Sequence, residues 1–197
     1  TVCRLVKSAG FTRKRLKLKA SVILTDSHKR AVVDYASKIV GLRRKNIVFL
    51  DECGFNLHVS NNYGYSATNQ DAIAMVRPSR GRNISVCAIF SNQGIFGQRI
   101  LDGAFDRIHF LEFLEQMIAE KKLSRDMVLV MDNVRFHHVS EIKSLLSENL
   151  IECVYLPSYS PQFNPIENVF SVLKAKVANY RPRAQNRNTL FEYISKS

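Results

Sequence analysis

Residues 156–176 read LPSYSPQFNPIENVFSVLKAK. Three of the chain's five prolines, Pro157, Pro161 and Pro165, fall inside this stretch. Proline fixes its own φ and lacks an N–H, so the approach is rigid and non-helical. It predicts an abrupt helix start with Asn164 as N-cap and Pro165 at the first helical position. Ile166, Val169, Phe170, Leu173 and Val177 then recur at helical spacing and predict one buried face. Glu167 lies off that stripe, in the first turn, where the fixed approach sets the direction of its carboxylate. Spacing alone offers a structural role for it. Asn164 and Glu167 stand three apart, as in a capping box, and a carboxylate suits the positive end of a helix.

Two further carboxylates give Glu167 company. Met127 to Met131 is an unbroken apolar run, the signature of a strand buried on both faces, and it ends at Asp132-Asn133. Ile47 to Leu50 likewise ends at Asp51-Glu52, with Cys53 to Asn56 reading as a loop. One acid at a strand end is ordinarily a turn or cap residue. Two such strand ends together with Glu167 make a candidate oxygen-ligand metal site. Glu52, adjacent to Asp51, points to the opposite face if the strand continues, and is left out of that site.

Asp132-Asn133-Val134-Arg135-Phe136-His137 and Tyr159-Ser160-Pro161-Gln162-Phe163-Asn164-Pro165-Ile166-Glu167-Asn168 resemble the second and third acidic motifs of the Tc1/mariner transposase superfamily. Phe49-Leu50-Asp51-Glu52-Cys53-Gly54-Phe55 resembles the first. There are 34 residues between Asp132 and Glu167, a separation closer to the Tc1-like branch, whose third acid is Glu, than to the mariner branch, where it is Asp. The resemblance implies a DNA transposase that cleaves at the inverted repeats ending an element and uses the freed 3′-hydroxyl to attack target DNA. It implies double-stranded DNA as partner, a homodimer to hold two ends, and residence in the nucleus, or with the nucleoid in a bacterium. A domesticated derivative that binds DNA without catalysis is the alternative.

Phosphodiesters resist attack because the anion repels nucleophiles and the alkoxide leaves poorly. Two divalent ions about 3.5–4 Å apart answer both difficulties. Mg²⁺ or Mn²⁺ needs hard oxygen ligands, so Asp51, Asp132 and Glu167 are expected to hold two such ions as the catalytic and metal-binding residues. Around them, Asn133 is a candidate supporting residue. His137 falls where the family pattern also carries His, and either orients a phosphate or water or makes a structural hydrogen bond. His138 is expected to be exposed. Lys174, two turns beyond Glu167, either contacts phosphate or faces solvent.

Composition bounds the rest. The 197 residues are 46% hydrophobic and 23% charged, ordinary for a globular chain that buries one sizeable core. No apolar run approaches the roughly 20 residues of a membrane helix, and the basic N-terminus has no apolar signal core, so export is not expected. Cys3, Cys53, Cys87 and Cys153 form no C-x-x-C pair, which argues against a zinc knuckle and for free thiols. The net charge is +12, and it is uneven: residues 1–46 hold 13 Lys and Arg against Asp26 and Asp34, whereas residues 47–197 hold 16 against 15. A basic arm on a near-neutral body is the footprint of phosphate-backbone binding.

In order, residues 1–20 resemble the remnant of a helix-turn-helix reader followed by a basic linker. Arg4, Lys7, Arg13, Lys14, Arg15, Lys17 and Lys19 there are candidate DNA contacts. Residues 21–46 carry a linker helix, roughly Asp26 to Val40. Residues 47–197 form the catalytic domain, which opens with the Ile47 to Leu50 strand and continues in an irregular stretch, Asn56 to Asn83, in which Tyr65 stands where the family has Trp and Arg77, Arg80 and Arg82 are further DNA candidates. Ile84 to Phe90 and Ile95 to Ile100 flank Ser91-Asn92-Gln93-Gly94, a hairpin signal. Helices are expected over Arg107 to Lys121, Ser140 to Glu148 and Thr189 to Ser197, and a strand over Glu152 to Leu156. This order predicts an α/β, ribonuclease-H-like mixed sheet flanked by helices, as the resemblance also implies.

Overall fold

The computed structural model describes residues 2–11, 21–42, 46–55, 71, 83–180 and 187–196. Helices α1 (Val2–Ser8) and α2 (Asp26–Gly41) precede strands β1 (Asn46–Phe55), β2 (Ile84–Ser91) and β3 (Gly94–Asp102). Then follow α3 (Arg107–Ala119), β4 (Met127–Met131), α4 (Ser140–Glu148), β5 (Glu152–Tyr155), α5 (Ile166–Tyr180) and α6 (Arg187–Lys196). The strands form one sheet in the order β3-β2-β1-β4-β5. The β1–β2 and β2–β3 pairs are antiparallel, as the hairpin signal predicts, and β1–β4 and β4–β5 are parallel.

Strand alternation sorts the apolar residues into two layers. Val48 and Leu50 of β1, Cys87 and Ile89 of β2, and Leu129 and Met131 of β4 face α3 and α4, where Phe110, Phe113, Leu114, Met117, Ile142 and Leu146 cover them. On the other face, Cys53, Phe55, Val86 and Ala88 pack under Ile166, Phe170 and Val177 of α5 and Leu190 and Ile194 of α6. Val128, Val130 and Val154 continue that face beneath Tyr35 of α2, whose ring lies 5.6 Å from that of Phe163. Thr25 caps α2 through its side chain, which accepts from the His28 N–H. No helix among the described residues is long and apolar enough to cross a membrane.

Close approach of α3 to the sheet depends on Gly97. A Cβ there would run into the Sδ of Met117, itself buried in the core. Gly97→Ala is expected to lower unfolding stability by about 1–3 kcal/mol through overpacking, measured by urea denaturation. An unchanged midpoint would mean that Met117 swings clear.

Two local expectations need correction. The first strand does not end at Leu50, and Cys53 to Phe55 are not a loop. Pairing with parallel β4 stops at Leu50, but antiparallel pairing with β2 continues to Phe55 opposite Ile84. Asp51 therefore lies inside a strand, at the level where its parallel neighbour gives out. Helix α5 begins near its expected place, and its apolar stripe is buried as predicted: Ile166, Phe170 and Val177 fully, Val169 and Leu173 partly. However, α5 starts at Ile166, with Pro165 in the turn before it.

Arg4 and Lys7 are exposed on α1. Arg13, Lys14, Arg15, Lys17, Lys19, Tyr65, Arg77, Arg80 and Arg82 lie outside the described residues.

Candidate metal centre

A cleft of about 420 Å³ opens at the C-terminal end of β4, lined by Asp51, Asp132, Asn164 and Glu167 and by the Leu156–Pro161 segment. The fold brings the three acids there from three directions. Asp51 projects from β1 on the face covered by α5. Asp132 follows the last residue of β4, which is paired with Leu50. Glu167 stands exposed in the first turn of α5. The rim residue Tyr159 is 65% exposed and holds a left-handed backbone, φ 56°, a conformation rarely taken by a bulky residue outside functional or tightly constrained turns.

Asp51 is 8% exposed and tightly held. Its Oδ1 accepts the Glu52 N–H at 2.8 Å, and its Oδ2 accepts the side-chain amide of Asn164 at 2.8 Å. Burial pushes the Asp51 carboxyl up to about 7; the Glu52 N–H opposes the shift, and the charges of Glu52, Asp132 and Glu167 add to it. Like charges gathered in a low-dielectric pocket disfavour ionisation until a cation neutralises them.

The bond from Asn164 displaces the capping box that the spacing suggests. The Asn164 N–H goes to the Pro161 carbonyl at 2.9 Å, its carbonyl takes the Glu167 N–H at 3.2 Å, and its side chain leaves the helix for Asp51. Glu167 is thus not engaged as the cap's reciprocal partner. The Asn-Pro pair was the one sequence signal available, since it announces a constrained Asn, but it does not say toward what.

Asp132 meets His137, which is buried completely in the 3-10 turn Arg135–His138. The ring's Nδ1 lies 2.7 Å from Asp132 Oδ1 and 3.3 Å from the Asp132 carbonyl, and its Nε2 lies 3.2 Å from Oε1 of Glu52. Both Asp132 oxygens at Nδ1 lie within reach of one ring N–H, and the 2.7 Å approach to Oδ1 is the shorter. Burial opposes protonation of the ring, but Asp132 and Glu52 outweigh it and push the His137 pKa up to about 9. Asn133 serves the neighbouring loops: its Oδ1 lies 2.6 Å from His138 Nε2, and its amide donates to Ser158 Oγ at 3.5 Å. His138, expected to be exposed, is half-buried with its ring 4.0 Å from that of Tyr155. Lys174 is exposed on α5, with its charge acting on the buried Cys53 thiol, whose pKa burial nevertheless raises.

The donor chemistry fits a hard divalent cation. Oδ1 of Asn164 is a buried oxygen without a hydrogen-bond partner, a costly state that a cation relieves, and Asp132 keeps its second oxygen free of the His137 contact that engages Oδ1. With Asp51 and Glu167 they make an all-oxygen set, which suits Mg²⁺ or Mn²⁺ and not a soft metal. Among the described residues no three acidic, His or Cys side chains already form a closed metal cage. Of the three acids, Glu167 alone is exposed.

The chain matches the DDE superfamily endonuclease family over residues 46–190 and belongs to it, which makes it a nuclease-type enzyme whose sheet carries this carboxylate-lined cleft. Its relatives are transposases, as the acidic motifs foretold. It is 26% identical over 208 residues to the transposable element Tcb2 transposase of Caenorhabditis briggsae, covering 98% of this chain and 74% of that protein. It is 24% identical over 179 residues to the Tc3 transposase of Caenorhabditis elegans, covering 88% of this chain and 54% of that protein. Among solved structures, the mariner Mos1 paired end complex with Mg superposes with a TM-score of 0.69 at 15% identity, over 99% of this chain and 66% of that one. The Mos1 transposase paired-end complex with left transposon end gives 0.68 at 15% identity, over 98% and 65%. The chain thus spans just under two thirds of the length of these Mos1 chains, and the ribonuclease-H-like fold expected from the element order is theirs.

Proposed function

We propose that this chain is the catalytic core of a Tc1/mariner-type transposase that cleaves DNA at element ends and transfers the freed strand into target DNA. The observation that carries the reading is the convergence of Asp51, Asp132 and Glu167 on one cleft, from a mid-strand position, a strand end and a helix start. When bound, a pair of divalent cations would supply an activated nucleophile and stabilisation of the leaving oxygen. Asp51 and Asp132 would hold them from the rigid sheet, Asn164 would fix the Asp51 carboxylate, and Glu167 would close the set from α5. Water and then a 3′-hydroxyl can serve as successive nucleophiles at the same place, so no covalent enzyme intermediate is required. Exposed Arg4 and Lys7, with the basic residues 13–19 and with Arg80, Arg82 and Lys174, would supply phosphate contacts to the double-stranded ends, and pairing two ends calls for a dimer.

The test is incubation of the purified protein with labelled terminal-repeat duplex in Mg²⁺, Mn²⁺ or EDTA, beside Asp132→Asn. Nicking that needs the metal and is lost in the variant is the expected result. Binding without metal-dependent nicking would favour a DNA-binding derivative, and cleavage confined to RNA–DNA hybrids would favour a different nuclease.

A further inference from the structure

Glu52 lies beside Asp51 but points through the sheet to the α3 side, away from the cleft. Its carboxylate is nevertheless two contacts from the site. Oε1 of Glu52 stands 3.2 Å from Nε2 of His137, whose Nδ1 stands 2.7 Å from Oδ1 of Asp132. The Glu52 side chain is 18% exposed and the ring is fully buried. The ring has no latitude: it stacks on Phe110 with centroids 4.4 Å apart, and Phe136 stands against it at 4.2 Å. Tyr155 anchors the backbone beneath it, donating its hydroxyl to the His137 carbonyl at 3.0 Å.

Such an arrangement is expensive to bury unless it does something. A fully buried imidazole between two carboxylates carries desolvation costs that an apolar side chain would avoid, and Phe110 and Phe136 show that apolar packing is available at this place. The end of the chain of contacts is a single oxygen of Asp132, Oδ1. Asp132 follows β4, where strand pairing no longer fixes its side chain, whereas Asp51 is fixed by the Glu52 N–H and Asn164. The two sheet acids are therefore held by different devices, and among the described residues it is the His137 ring that restrains the Asp132 side chain.

We propose that Glu52 is a positioning residue for Asp132, acting through His137: Glu52 orients the ring from behind the sheet, and the ring holds one oxygen of Asp132 so that the carboxylate keeps its aim into the cleft. This rests on the reading of Asp132 as a metal ligand. Groups behind a ligand orient it, and their loss ordinarily weakens metal affinity about 10–100-fold.

The experiment is Mn²⁺ binding by titration calorimetry, with melting temperatures measured in parallel, for the protein and for Glu52→Gln, His137→Gln, their double variant and Asp132→Asn. Glu52→Gln is expected to weaken Mn²⁺ binding about 10–100-fold and to add no further loss in the His137→Gln background, because the two act in series. A merely structural pair would lower the melting temperature and leave the Mn²⁺ affinity alone, which overturns the proposal. Additive losses in the double variant overturn it too, since Glu52 would then not act through the ring. If His137→Gln does not fold, the near-isosteric Glu52→Gln still decides between weakened and unchanged affinity. Asp132→Asn separates the two levels. Weakened binding there with unchanged binding in Glu52→Gln rejects this inference alone, and unchanged binding in both rejects the reading of Asp132 as well.

Discussion

Glu167→Gln is expected to lower metal-dependent cleavage of terminal-repeat DNA by about 10²–10³-fold, the scale on which a single group stabilising developing charge contributes. The substitution isolates chemistry from folding. Glu167 is exposed, its N–H bond to Asn164 is a backbone contact that survives, and the apolar stripe of α5 is untouched. The only stability loss expected is the favourable placement of a negative charge at a helix N-terminus, about 0.3–1 kcal/mol. Single-turnover cleavage and thermal melting of the same preparation check the pair of expectations. Full activity with Gln at this position would remove Glu167 from the catalytic set and return it to an ordinary first-turn acid.

Asp51→Asn is expected to stabilise the metal-free protein at pH 8 while destroying metal-dependent cleavage. The sign follows from linkage. The folded pKa of Asp51, about 7, is above the ordinary 3.8, so the folded state holds the proton more tightly than the unfolded chain. The corresponding stability is fully present below about pH 4 and is lost as pH rises through 7. At about 1.4 kcal/mol for each pKa unit, the loss by pH 8 is on the order of a few kcal/mol. An Asn cannot ionise, and a turn of the Asn164 amide, which now donates to Asp51, would bring its unpartnered Oδ1 to accept from the new NH₂. Urea denaturation in EDTA from pH 4 to 8.5 should therefore show the variant gaining on the wild type as pH rises. A difference that stays flat with pH would mean that Asp51 ionises as an ordinary surface carboxylate.

Opposed outcomes for neighbouring acids reflect their settings. Asp51 is buried and doubly hydrogen-bonded, so its charge burdens the fold; Glu167 is solvated, so its charge costs the fold nothing. Both are kept as acids in the same cleft, where a cation would offset the burden.

Much of this was legible along the chain. The unbroken apolar run Met127–Met131 announced a strand buried on both faces, the 3.6-residue stripe from Ile166 to Val177 announced the covering helix, and turn residues at 91–94 announced the hairpin. These are local signals, because side-chain periodicity is set by backbone geometry within one element. The acidic motifs, 34 residues apart in their second and third members, named the family for the same reason: the string is contiguous.

Partnerships across the sheet were not legible. Nothing near Leu50 says that β2 will carry the strand on to Phe55, because pairing is decided by a segment about 30 residues further along. Alternation correctly sent Glu52 to the far face, yet only the placement of His137, 85 residues away, makes that face part of the site. Asn164 reads as a helix cap until Asp51, 113 residues earlier, claims its amide. Which residues carry charge, which faces are apolar and which family the motifs belong to were already fixed along the chain. Which buried polar group answers which came from the folded arrangement, since a hydrogen bond or ion contact depends on positions in space that loops and strand order set.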